Sequence, residues 1–192
     1  MSEQIREISY QVYERTKKKI LDLELGIGER INLKSLCEEF KVSATPVREA
    51  VKKLLEDGLV TLQPRQSYYV YTPTSKDIQE IYELRKILEQ AALTSFKNNT
   101  SNLRPFKELK EKFEYIKNLP VSKKRKKFGE TEDVHTLIIR NLNNQRVKYI
   151  YENLHNFTLL FQHLIQRDAT TTTDEGLEDH LDLINAILRR DT

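Results

Sequence analysis

Between Leu33 and Val60, apolar residues recur with helical spacing in two short blocks. Leu33, Leu36, Cys37 and Phe40 fall at i, i+3, i+4 and i+7, and Val47, Ala50, Val51 and Leu54 repeat the spacing. The break between the blocks is about three residues. Helices joined so tightly cannot lie antiparallel with full contact, so they cross steeply, as in a helix-turn-helix. Ser43 or Thr45 caps the second helix, and Pro46 is tolerated in its first turn, where backbone N–H groups have no intrahelical partner. With Val42, Val47 and Val51 inward, Ala44, Thr45 and Arg48 are left outward near the helix N-terminus. Helix-turn-helix readers push that end into the major groove. Asp57-Gly58 closes the helix, Leu59–Leu62 reads as a strand, Gln63–Ser67 as a turn and Tyr68–Tyr71 as a second strand. Helix, helix and hairpin predict a winged helix. The plain alternative for the two blocks alone is a helical hairpin in a larger bundle.

Upstream, Ser9 is the expected N-cap of a helix through about Leu23, with Val12, Thr16, Ile20 and Leu23 inward and Gly26 and Gly28 beyond its end. Lys17-Lys18-Lys19 on this helix reads as a solvated face, with phosphate contact as the alternative. Thr72-Pro73-Thr74 ends the hairpin, which puts a DNA-binding domain at 1–74 and a second domain at 75–192. In the second domain every periodic segment is helical. Ile78, Ile81, Leu84, Leu88 and Ala92 mark a first helix to about Lys97, followed by a polar loop at Asn98–Asn102. Phe106, Leu109, Phe113 and Ile116 mark a second helix, stopped by Pro120. A third is expected from Lys126 to Leu142, a fourth from Val147 to Gln166, a Thr-rich loop at Ala169–Thr173, and a fifth helix from Asp174 still running at Arg190. The fold class is therefore mainly α: three helices and a hairpin, then an all-helical bundle.

Composition narrows the function. In 192 residues, 38% hydrophobic and 32% charged content suits a helix-rich chain long enough to bury a real core. No apolar run approaches the roughly 20 residues that span a membrane, and the N-terminus lacks a signal-peptide core. The single cysteine, Cys37, sits on an apolar helix face and reads as a structural thiol, so a cytoplasmic setting is expected. Residues 1–75 carry 12 Lys/Arg against 11 Asp/Glu, so DNA affinity depends on where the cations sit rather than how many there are. The five basic residues Lys123–Lys127 read as a solvated loop or helix start. No nucleophile–base set is visible, so no enzyme is expected.

The stretch from Gly28 to Pro64 resembles the N-terminal domain of GntR-type transcription regulators. Gly28-Glu29-Arg30, Val42-Ser43, Thr45-Pro46-Val47-Arg48-Glu49-Ala50 and Gly58-Leu59-Val60 carry the likeness. Ala44 stands where the family has arginine, and Pro64-Arg65-Gln66-Ser67 replaces a wing with glycines around a basic residue. The resemblance and the spacing together make Lys34, Ser43, Ala44, Thr45, Arg48 and Arg65 the DNA-binding candidates. Arg48 is the expected reader, with Lys34 and Arg65 acting through phosphate or the minor groove. Behind this domain, Ile81–Ala92, the segment Asp133–Ile139 followed by Asn144, and Glu178–Asp191 resemble the FCD branch of the same family, named for the C-terminal domain of FadR. FCD bundles continue into a further helix, so the expectation is a bundle lacking its last helix and a pocket left partly open.

Three polar residues sit on apolar faces of that bundle, where they need partners. Arg85 falls among Ile78, Ile81, Leu88 and Ala92. His135 shares a stripe with Phe128, Thr131, Ile138 and Leu142, and His180 lies with Leu177, Leu181, Ile184 and Leu188. A guanidinium fork suits a carboxylate, and imidazoles suit a divalent transition metal such as zinc or nickel. Arg85, His135 and His180 are thus effector-binding candidates. The resemblance implies a metal held by an Asp one turn before a His and by two later His. His135 and His180 match two of these positions, Thr131 occupies the Asp position, Asp133 is expected to point elsewhere, and the last His would fall beyond Thr192. On that reading the metal is weak or absent, and Arg85 with the two histidines holds a small anion or water. His155 and His163 read as residues of the fourth helix without special role. The leading function is a homodimeric regulator that binds an inverted-repeat operator and senses a small carboxylate. The alternative is a helical ligand-binding or scaffold protein with no DNA role.

Overall fold

The computed structural model describes residues 3–64, 67–98, 102–129, 131–168 and 173–190. Arg65 in the wing turn, and most of the loops expected at Asn98–Asn102 and Ala169–Thr173, lie outside the described residues. Two compact units emerge. One comprises Met1–Gln79 with Asn156–Arg167, the other Glu80–His155 with Asp168–Thr192.

In the first unit, α1 (Glu3–Leu21) starts upstream of Ser9. The Ser9 hydroxyl donates to the Ile5 carbonyl at 2.7 Å, the back-bond a serine makes inside a helix rather than at its cap. Val12, Thr16 and Ile20 are buried as their spacing predicts. Asn32 caps α2 (Leu33–Phe40), its side chain accepting from the N–H groups of Lys34 and Ser35, and Lys41 ends it at φ 55. That left-handed residue reverses the chain within the short turn to α3 (Ala44–Glu56). Ser43 occupies the N-cap position with extended backbone, yet its side chain makes no cap bond. Pro46, Val47, Ala50, Val51 and Leu54 form the buried face of α3.

Gly58, at φ 76, turns the chain into β1 (Val60–Gln63). Strand β1 pairs antiparallel with β2 (Ser67–Val70), Val60 facing Val70 and Leu62 facing Tyr68. Each strand sits about one residue from its expected bounds. A further bridge joins Arg30 to Tyr69, backed by Val70 N–H to the Glu29 carbonyl at 2.9 Å and Ile31 N–H to the Tyr68 carbonyl at 2.8 Å. The Gly28-Glu29-Arg30 segment is thereby stitched to the wing, which completes the winged helix.

Thr74 and Asp77 begin α4 (Ser75–Asn98) reciprocally. The Thr74 N–H donates to the Asp77 carboxylate at 2.7 Å, and Asp77 N–H returns a bond to the Thr74 hydroxyl at 3.2 Å. Gln79, the last residue of the first unit's leading segment, and Glu80, the first of the second unit, both lie in this helix.

Five more helices follow among the described residues: α5 (Arg104–Lys117), α6 (Val121–Gly129), α7 (Val134–Arg140), α8 (Gln145–Asp168) and α9 (Thr173–Arg189). The single third helix expected from Lys126 to Leu142 is in fact α6 and α7. Asp133 interrupts it with extended backbone and caps α7. The core of the second unit is built on Phe106, Phe113, Ile138, Leu177, Ile184 and Ile187. Leu84, expected inward, is 41% exposed. The basic run lies in α6, where Lys124 pairs with Asp174 at 2.6 Å. Arg190, at φ 58, ends α9. No helix among the described residues is long and apolar enough to cross a membrane.

Candidate nucleic-acid interface and effector site

The apolar face of α3 is packed inward through Val47 and Val51, both 0% exposed. Helical geometry therefore turns Ser43, Ala44, Thr45 and Arg48 outward, and all four are exposed. Lys34, in the first turn of α2, is exposed as well and lies 3.8 Å from Glu38. The Lys17-Lys18-Lys19 cluster is committed to local partners: Lys18 to Asp22, Lys19 to Glu39 at 2.7 Å, and Lys17 over the Tyr13 ring. Cys37 is half-buried and unpaired by any disulfide.

In the second unit, Arg85, His135 and His180 are brought together around two carboxylates, Glu89 and the Asp133 that was expected to point elsewhere. Glu89 lies one turn after Arg85 on α4 and is 9% exposed. Its Oε1 accepts from Arg85 Nε at 2.6 Å and from the Tyr151 hydroxyl at 2.9 Å. Its Oε2 meets His135 Nδ1 at 2.7 Å. Asp133 approaches His180 Nε2 at 3.3 Å, while His180 Nδ1 bonds the Gly176 carbonyl. The two imidazole centroids are 5.2 Å apart, and Phe113 and Phe128 set their ring edges against His180.

Burial by itself raises both carboxylates, yet their neighbours win. The His135 bond and the Arg85 charge hold Glu89 below its ordinary value. The His180 bond and the charges of His135 and Arg85 hold Asp133 well below the usual carboxylate range. His180 moves the other way: burial opposes its charge, but Asp133 and the Gly176 carbonyl raise it.

Both halves of the chain match known families. The model described as bacterial regulatory proteins, gntR family, fits residues 8–70, and the FCD domain model fits residues 80–192. The chain belongs to the GntR family. Its helical domain is of the FCD type, as the motifs implied. The gluconate operon transcriptional repressor of Bacillus licheniformis is 30% identical over 173 residues, covering 85% of this chain and 69% of the relative. The HTH-type transcriptional regulator YdhC of Bacillus subtilis is 41% identical over 83 residues, covering 43% of this chain and 37% of the relative. The Nta operon transcriptional regulator of Aminobacter aminovorans is 38% identical over 66 residues, with 31% of its length covered. The alignments with these last two thus span about a third of each relative. A GntR transcriptional regulator from Rhodococcus sp. RHA1 superposes with a TM-score of 0.79 at 23% identity, over 94% of this chain and 86% of that one. Escherichia coli McbR/YncC gives 0.74 at 22%, over 96% and 87%. These two share the fold. The GntR relatives bear the names of transcriptional regulators.

In this GntR-family chain the FCD domain places Asp133 differently from the expectation. Asp133 does not point elsewhere. Ligand atoms of Asp133, His135 and His180 all lie within 4.8 Å of one another. The correction follows from the break between α6 and α7. As N-cap, Asp133 turns its carboxylate over the first turn of α7, reaching the His135 N–H at 3.4 Å. Thr131, at the family's Asp position, instead donates to the Lys127 carbonyl at 2.8 Å.

These residues fit a divalent ion. The Gly176 carbonyl can only accept, so His180 Nδ1 carries the proton and Nε2 keeps its lone pair when the ring is neutral. The ionised Glu89 does the same for His135. Outer partners that fix the tautomer in this way are what metal-binding histidines require. Two imidazoles and a carboxylate leave coordination positions open. Glu89 sits at i+4 from Arg85 on the same inward face, a pairing the helical period contained. Asp133 had no comparable signal, since its role depends on where one helix stops and the next starts.

Proposed function

We propose that this regulator is a cytoplasmic repressor that binds an inverted-repeat operator as a two-fold dimer and senses a small carboxylate in its FCD domain. The observation that carries the sensing reading is the cluster of Arg85, Asp133, His135 and His180, which joins a buried cation to a metal-ligand set. Asp133, His135 and His180 would hold a divalent ion such as zinc or nickel, which would supply Lewis-acid affinity for carboxylate oxygens, and Arg85 would add the complementary charge. The gluconate operon relative agrees with this class, because gluconate is itself a carboxylate. Thr45 and Arg48 read base edges, helped by Ser43 and Ala44, while Lys34 and Arg65 act through phosphate or the minor groove. One short helix reads too few bases alone, and two-fold symmetry doubles the contact. Leu84 and Ile87, 41% and 56% exposed on α4, are apolar enough to serve that dimer.

Two measurements test the reading. Arg48→Ala should weaken binding to an operator selected from genomic fragments by about 1–3 kcal/mol at physiological salt. Unchanged affinity would remove α3 from its assigned place in the groove. Zinc titrated calorimetrically into chelator-treated protein should bind once per chain, tighter than about 1 μM, with binding lost in His135→Ala and Asp133→Ala. If Asp133→Ala binds zinc as the parent does, the donor set is misassigned.

A further inference from the structure

The recognition helix is held at its far end by a contact that apolar packing does not require. Tyr13 on α1 is 5% exposed, and its hydroxyl donates to Asp57 Oδ2 at 2.5 Å, across 44 residues of chain. Asp57 is the C-cap of α3, its own N–H bonded to the carbonyls of Lys53 and Leu55. Lys53, in the last turn of α3, stands 4.4 Å from the Tyr13 ring centroid, and Lys17 approaches the same ring at 5.6 Å. One tyrosine thus grips the last turn of α3 twice, by hydroxyl to carboxylate and by ring face to ammonium. A phenylalanine would fill the same space. The hydroxyl therefore answers to something other than burial, and a hydrogen bond differs from apolar contact in being directional.

We propose that Tyr13 is a positioning residue for operator reading: it sets the angle at which α3 presents Thr45 and Arg48 to the bases. The proposal rests on the reading of α3 as the recognition helix. From Thr45 to Asp57 the helix rises about 18 Å, so a tilt of about 5° at the pinned end displaces the reading end by about 1.6 Å. Hydrogen bonds to base edges do not survive such a shift, because they weaken steeply with distance and angle. Contacts from long, flexible cations to phosphates follow the shift and persist. Loss of the latch should therefore appear in discrimination between sequences before it appears in affinity for DNA at large. Burial foremost, and then the Asp57 carboxylate, push the Tyr13 hydroxyl far above its ordinary range, so it stays a donor at every working pH.

The test uses the full chain and two fluorescent duplexes, the selected operator and a scrambled sequence of equal length. Tyr13→Phe should lose about fivefold to tenfold on the operator and less than about twofold on the scrambled duplex. Asp57→Ala should behave alike, and Asp57→Asn, which keeps a carbonyl acceptor, should recover most of that loss. Equal losses on both duplexes, or a parental ratio in Tyr13→Phe, would overturn the proposal. Arg48→Ala in the same assay separates the two levels. If it weakens operator binding while Tyr13→Phe does not, only the latch fails. If neither variant changes operator binding, the assignment of α3 fails and the latch with it.

Discussion

Replacing Glu89 by alanine should damage the FCD bundle more than its size implies. The side chain is small, but it satisfies three groups at once: the buried Arg85 Nε at 2.6 Å, the buried Tyr151 hydroxyl at 2.9 Å and the half-buried His135 Nδ1 at 2.7 Å. Arg85 is 7% exposed and does not neutralise, so Glu89→Ala strands a buried cation. Breaking one partner of a buried pair costs about 3–5 kcal/mol. Glu89→Gln keeps two acceptor contacts while losing the charge, and should cost about 2 kcal/mol. For a domain of roughly 100 residues the alanine variant should melt more than about 10 °C lower. Because the chain holds two units, a single melting curve does not isolate the effect. Hydrogen exchange resolved to α4 and α7 does, and both should open in Glu89→Ala. Adding Arg85→Met should restore part of the loss by removing the stranded charge. A Glu89→Ala protein melting within about 2 °C of the parent, with unchanged exchange in α4, would show that Arg85 is compensated elsewhere.

Two further expectations come from the same structure. In chelator-treated protein the second unit should be most stable between about pH 4.5 and 6.5. Glu89 and Asp133 are held below their ordinary 4.5 and 3.8, so their contribution is present above those values and is lost as pH falls through the folded ones. His180 is held above 6.5, so its contribution is full below that value and disappears as pH rises through the folded one. Melting temperatures rising steadily from about pH 6 to 9 would contradict this sign. Separately, Gly58→Ala should cost at least about 1–2 kcal/mol in the first unit, because φ is 76 and an added Cβ would lie 3.0 Å from Phe157 Cζ. Exchange at the junction of α3 and β1 is the readout, and parental protection there would refute the expected strain.

The winged helix and the helical character of the bundle were readable from residue order alone. Val47, Ala50, Val51 and Leu54 repeat with the period of the helix, and Asp57-Gly58 followed by two short apolar runs leaves few alternatives to a hairpin. Such signals are local: the period, the turn residue and the cap act within a few positions, and burial then follows the apolar stripe. The outward placement of Ala44, Thr45 and Arg48 needed nothing more. Arg85, His135 and His180 stood out for the opposite reason, as polar groups on faces that should be apolar. Local signals also misled where a competing local bond existed, as at Ser9, which bonds back within α1 rather than capping it.

The chemistry of the cluster depended on contacts that residue order does not encode. Glu89 meets His135 across 46 residues and Tyr151 across 62, and no periodicity links those positions. In one continuous helix, Asp133, two residues before His135, would point away from it. Once the backbone is extended at φ −71 and ψ 133, the same carboxylate caps α7 and reaches His180 on α9. Nothing in the residue order singles out Tyr13, whose hydroxyl meets Asp57 across 44 residues. A side chain's burial is set largely by the element that carries it. Its partner is set by where another element happens to end, and that is a property of the packed chain rather than of any stretch within it.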